Sequence, residues 1–166
     1  MQITTSQQMV LDLVHKLNDG EFGGWFFPSE VMAFCQIESA FQPKAYRFEP
    51  RLNEGSYGLM QVLASTAQGV GLVGSPEQMY DPETGLRIGM KVAQLYWQQE
   101  VKHLSRDPTD EEWAASYNEG VGGAERDIDA AREPDPAYTT VWIAAQAHWA
   151  EQGVDASNPP PMTVTP

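Results

Sequence analysis

The sequence predicts a mainly α fold in one domain. Apolar residues recur at helical spacing through almost every long segment, several segments open on residues that cap or start helices, and no stretch of strand length alternates convincingly.

Met9, Val10, Leu13, Val14 and Leu17 form the first stripe, behind a capping box read from Thr5 to Gln8, and Gly20 ends the segment. Pro28 and Ser29 start a second helix, on which Val31, Phe34 and Cys35 share one face. Ser65 to Val70 fits a short third helix between turn-forming glycines. Asp81-Pro82-Glu83 supplies a cap, a proline at the first helical position and an acid in the first turn. Leu86, Met90, Ala93, Trp97, Val101 and Leu104 then trace one stripe. Thr109 and Glu112 form a further capping box ahead of Trp113 and Tyr117. Asp135-Pro136 opens the last helix, striped by Tyr138, Val141, Trp142, Ala145 and Trp149 and closed by Gly153. Between residues 49 and 63, Gly55 and Gly58 allow a turn or a short hairpin. The domain is expected to span residues 1–153, and residues 154–166, with Pro159-Pro160-Pro161, read as a Pro-rich extended tail.

The chain of 166 residues is 42% hydrophobic and only 20% charged, which suits one domain with a real core. A formal charge of −13 excludes nucleic acid as the main partner, since that role needs clustered Lys and Arg. With the single cysteine Cys35 no intrachain disulfide can form, and its place on the apolar stripe makes it a core side chain. Met1 to Gln8 lacks both a basic patch and an apolar run, and no stretch of about eighteen apolar residues occurs, so neither a signal peptide nor a membrane span is expected in this chain. His15, His103 and His148 lack the spacing of a helical metal site, and Gly69, Gly71 and Gly74 lack the Lys-Ser/Thr of a phosphate loop. No cofactor and no metal are expected.

Glu38 is the misfit. It falls on the same helical face as Val31, Phe34 and Cys35, where burial would disfavour the ionised form and raise the pKa, as a proton donor near neutral pH requires. If the helix instead stops at Ile37, Glu38 is a solvated cap. Three further stretches accompany Glu38-Ser39-Ala40-Phe41: Gly58-Leu59-Met60-Gln61, Tyr80-Asp81-Pro82, and Ala115-Ser116-Tyr117-Asn118-Glu119-Gly120. Together and in this order they resemble the catalytic domain of the soluble-type lytic transglycosylases, a goose-lysozyme-like α fold that cleaves peptidoglycan. The resemblance runs from about Pro28 to Trp149.

The resemblance implies that Glu38 protonates the bond between N-acetylmuramic acid and N-acetylglucosamine. Ionised, it then takes the proton of the muramoyl C6 hydroxyl, which closes a 1,6-anhydro ring. A two-carboxylate glycosidase needs a second acid about 5 to 9.5 Å away. Glu49, Glu54 and Glu119 are the nearest in sequence, and each reads as solvated. Ser39 can bond a carboxylate or a sugar, or be an ordinary helix-end hydroxyl. Gly58 would let sugar approach the backbone, Met60 gives an apolar wall and Gln61 a donor and an acceptor, or all three form a buried turn. Tyr117 and Asn118 offer a stacking face and an amide, or a core ring and a cap. Tyr138 aligns with the tyrosine that orients the acid in this family, or is plain core.

The sequence departs from the family in the bulky, charged run Arg47 to Tyr57, and in Glu119 and Val121 around the Tyr-Asn-x-Gly stretch. Peptidoglycan glycan strands are the expected partner, with other phage virion proteins as further candidates. The charge of −13 would slow free encounter with an anionic wall, so tethering is favoured: a virion-associated enzyme, or one delivered to the bacterial periplasm and cell wall. A hydrolytic muramidase of the same fold and a non-catalytic wall-binding virion protein are the competing readings.

Overall fold

The cap of the first helix lies one residue before the one read from the sequence. In the computed structural model, which describes residues 3–156, Thr4 and Gln7 form the capping box of α1 (Thr5–Gly20). Gln7 Oε1 accepts from the Thr4 N–H and Thr4 Oγ1 from the Gln7 N–H. Thr5 and Gln8 repeat the same residue types one position on, so the pattern alone could not choose between them.

Pro28 begins α2 (Pro28–Ser39), where its missing N–H costs nothing, and the Glu30 carboxylate accepts the Phe27 N–H ahead of it. Val31 to Cys35 are all fully buried, which makes α2 the central helix. α3 (Ala64–Gly69) is a short turn of helix, followed by a 3-10 turn at Pro76–Tyr80. Asp81 caps α4 (Pro82–Leu104), and Thr109 with Glu112 caps α5 (Asp110–Glu119), both as the sequence predicts. Unforeseen is α6 (Val121–Asp129), whose first turn carries two glycines. Asp135 caps α7 (Pro136–Glu151) through the Tyr138 N–H. The α7 stripe is buried at Trp142, Ala145 and Trp149, but Val141 points outward and is 51% exposed. Phe34 of α2 marks the centre of the core, with ring centroids 5.5 Å from Trp113, 4.4 Å from Tyr117 and 5.0 Å from Trp142.

The hairpin is a three-stranded antiparallel sheet, β1 (Tyr46–Glu49), β2 (Glu54–Tyr57) and β3 (Val62–Leu63), in that order. It begins three residues before the stretch read as a hairpin, and its turn is residues 50–53. Gly55 lies inside β2 opposite Phe48, not in the turn. The Tyr46 ring covers it so closely that a Cβ would sit 2.5 Å from Cε2. Gly58, at φ 77°, ends β2 and turns the chain inward, and a Cβ there would lie 2.4 Å from the Met79 carbonyl oxygen.

Beyond Gly153 the chain keeps packing: Val154 is 5% exposed and Asp155 accepts the Ser29 N–H at 2.8 Å. The Pro-rich stretch 157–166 lies outside the described residues. Among the described residues no helix is long and apolar enough to cross a membrane.

Gly58→Ala should be costly, because the obstacle is backbone and the φ is left-handed. The expected loss is about 2–4 kcal/mol, a fall in Tm of roughly 5–10 °C for a domain of this size. Calorimetry showing a fall under about 2 °C would mean that Met79 gives way freely.

Candidate active site

Glu38 occupies the last turn of α2, immediately before two non-glycine residues with left-handed backbone, Ala40 at φ 50° and Phe41 at φ 61°. The reversal is held by the Ala40 N–H on the Gln36 carbonyl and the Phe41 N–H on the Cys35 carbonyl. Four circumstances act on the carboxyl. Burial is the largest and pushes its pKa up. The hydroxyl of Tyr138, donating to Glu38 Oε1 at 2.5 Å, and the positive charge of Arg47 pull it down, and the charge of Glu49 pushes it up again. The net direction is upward. Tyr138 itself is pushed well above the usual tyrosine range by burial and by the Glu38 charge, so its hydroxyl stays a donor.

The carboxyl lies where two hollows meet. One, of about 250 Å³, runs between the sheet, with Arg47, Glu49, Ser56 and Gln61, and the helices, with Tyr96, Tyr117 and Asn118. The other, of about 640 Å³, passes Lys44, Tyr46 and Arg47 on the far side of Glu38. Hollows that meet at a carboxyl whose pKa is raised form a trough that can take an extended ligand and bring a proton donor to a leaving oxygen.

The other candidate residues gather around one turn. Gly58, Leu59 and Met60 present successive carbonyls, and each accepts from a different side chain: Gln61 Nε2 at 3.0 Å, Ser39 Oγ at 2.8 Å and Tyr117 Oη at 2.8 Å. Gln61, itself left-handed at φ 47°, also accepts from Ser56 Oγ at 3.1 Å. Several expected roles change accordingly. Ser39 points its hydroxyl at the turn and not at the Glu38 carboxyl. The open side of Gly58 faces Met79, not the trough. Met60 is fully buried, with its sulfur against Gly89, and forms no wall of the 250 Å³ hollow. Gln61, Tyr117 and Asn118 do line that hollow. Tyr117 shows part of its ring there, and Asn118 is held by its amide on Asp135 Oδ2 at 2.6 Å.

A family model for the transglycosylase SLT domain matches residues 26–139, well over half of the chain. The chain belongs to this family. Its SLT domain superposes on the 70-kDa soluble lytic transglycosylase of Escherichia coli with a TM-score of 0.68 at 26% identity, covering 93% of this chain and 26% of that one. The complex of the 70-kDa soluble lytic transglycosylase with bulgecin A gives 0.69 at 26% identity, with the same coverage. An inactive glutamate-to-glutamine mutant of the lytic transglycosylase Slt from Pseudomonas aeruginosa gives 0.57 at 21% identity, over 89% of this chain and 22% of that one, a likeness of fold. The chain thus spans about a quarter of the length of these enzymes. No curated protein sequence matches it.

Sequence reasoning read Glu49 as solvated, but the fold brings it into the trough. It lines the same hollow as Glu38, is joined to Arg47 at 2.5 Å and keeps 28% of its side chain exposed. The charged run Arg47 to Tyr57, noted only as a departure, was the available signal. Glu54 is used elsewhere, accepting the Ser65 hydroxyl and N–H at 2.8 and 2.9 Å, and Glu119 lies outside this lining.

Tyr138→Phe removes a bond that favours ionised Glu38, so the Glu38 pKa should rise further. In an NMR titration of carboxyl-labelled protein, Glu38 should titrate above the ordinary glutamate range in the wild type and higher still in the variant. A downward move would show that Tyr138 does not hold the ionised form.

Proposed function

We propose that this chain is a peptidoglycan lytic transglycosylase in which Glu38 is first acid and then base. The observation that carries this is the partly buried carboxyl with its pKa raised, oriented by Tyr138 at the junction of two hollows. Membership of the SLT family and the likeness to two structures of a soluble lytic transglycosylase support the same substrate. Protonated Glu38 gives its proton to the glycosidic oxygen as the bond from the muramoyl C1 breaks. The muramoyl acetamido group stabilises the cation that develops. Glu38, now ionised, accepts the proton of the C6 hydroxyl, whose oxygen closes on C1. The 1,6-anhydro product forms without water, and Glu38 ends the cycle protonated. Gln61, Tyr117 and Asn118, which line the hollow, would contact sugar, whereas Ser39, Gly58 and Met60 hold the turn beside it.

Glu38→Gln should clear peptidoglycan suspensions about 10³-fold more slowly than wild type or worse, consistent with loss of the acid and base, while keeping its circular dichroism. Mass spectrometry of the wild-type digest should show 1,6-anhydro ends, lighter by one water than hydrolytic ends. Equal clearing by both proteins would remove Glu38 from the mechanism and return the reading to a wall-binding protein.

The finer reading is local wall opening by a phage particle, with virion proteins as neighbours. Its support is the charge of −13, which suits an enzyme held at the wall better than one that reaches an anionic polymer by diffusion. Antibody detection of the chain in purified particles is the expected result, and its absence from them would count against this placement.

A further inference from the structure

The trough contains a second carboxylate that the single-acid mechanism does not use. On β1, Arg47 and Glu49 are two residues apart and share one face of the strand. Tyr46, of opposite parity, packs on Tyr57 with ring centroids 5.1 Å apart. The Arg47 Nε–Glu49 Oε1 pair at 2.5 Å limits the Glu49 side chain to the groove wall, and the Leu52 N–H on the Glu49 carbonyl, with Pro50 next in line, steadies the backbone. At 28% exposure the carboxylate is within reach of water. Its charge acts on Glu38, so the two groups address one space. Two carboxyls lining one hollow, one to give a proton and one to take it, match the residue types of a two-carboxylate hydrolase.

We propose that Glu49 serves as general base for a water molecule that competes with the muramoyl C6 hydroxyl, giving this chain a hydrolytic activity beside anhydro formation. The inference rests on glycan cleavage by Glu38. In the hydrolytic branch Glu38 protonates the leaving oxygen and the C1–O bond breaks. The water oxygen bonds to C1 and its proton passes to the Glu49 carboxylate. One water is consumed and a reducing muramoyl end is released. Glu49 then loses its proton to solvent and Glu38 regains one, so both carboxyls are restored. Both branches share protonation by Glu38, so the ratio of reducing to anhydro ends does not depend on how much of the protein is folded.

The ratio is therefore the readout. Purified peptidoglycan is digested by wild type and by Glu49→Gln, and the products are treated with borohydride, which reduces free muramoyl ends and spares anhydro ends. The two are then counted by mass spectrometry. Reducing ends are expected in the wild type, with the ratio falling at least about tenfold in Glu49→Gln, a conservative floor for loss of a general base worth roughly 10²–10⁴. Anhydro ends alone in the wild type, or an unchanged ratio in the variant, would overturn the inference and leave the transglycosylase reading standing. Wild type that yields neither product would remove both.

Discussion

The hydrogen bond from Tyr138 to Glu38 joins residues 100 positions apart, and the geometry of the site depends on it. A carboxyl at the end of a buried helix is pushed toward its neutral form, and without an anchor it could turn away into solvent. Tyr138 supplies that anchor from α7, which is fixed to α2 by two further side-chain bonds, Trp149 to Gln36 at 2.9 Å and Gln146 to Ser29 at 3.3 Å. The same bond opposes the effect of burial. Burial favours the neutral form, and a donor on the carboxylate eases its ionisation.

The second constraint is the turn at Gly58 to Gln61. A tight turn brought into the interior exposes backbone carbonyls that have no ladder partner, and each unsatisfied one would cost about 1–3 kcal/mol. Here Gln61, Ser39 and Tyr117 satisfy three in succession, each drawn from a different place in the chain. Three of the sequence motifs are therefore one structural unit: the residue beside the acid, the turn, and the tyrosine of α5 hold one another. This explains why they occur together without each touching a ligand. Left-handed Ala40, Phe41 and Gln61 sit around the same turn, a strain of order 1–3 kcal/mol each by the general cost of such conformations. That strain persists because the hydrogen bonds over-determine the loop.

Local chemistry made most helices legible. Caps at Asp81, Thr109 and Asp135 lie in the sequence as they act in the fold, and Glu38 stands out because it breaks an apolar stripe within one helix. What stayed hidden depends on distant neighbours. α6 escapes notice because Gly122 and Gly123 argue against a helix. Gly123 packs close to the Glu119 side chain, where a Cβ would lie 2.8 Å from Cγ. Val141 follows the apolar period of α7 yet faces outward, because that helix has apolar residues on more than one side. Glu49 reads as a turn residue before Pro50, and only the pairing of β1 with β2 turns it toward the trough. For Ser39, Gly58 and Met60 the sequence leaves sugar contact and a buried turn as alternatives for a related reason. Contact with sugar and contact with Met79 or Leu59 demand the same residue types, and sequence does not say which surface is nearer.

The charge of −13 looks unfavourable for an anionic substrate, yet its weight at the site is set by distance. Screening over about 8–10 Å means that a ligand in the trough responds to the nearest groups, and these differ from the average. Lys44, Arg47 and Arg51, three of the ten basic residues, fall within eight positions, and the first two line the hollow beside Glu38. Arg47 and Glu49 act on Glu38 with opposite signs, one easing ionisation and the other resisting it. The pair thus acts on the acid in opposite directions while presenting a guanidinium and a carboxylate to the hollow that both residues line. A groove built this way sets a positive and a negative group beside Glu38 without removing the raised pKa that burial confers on it.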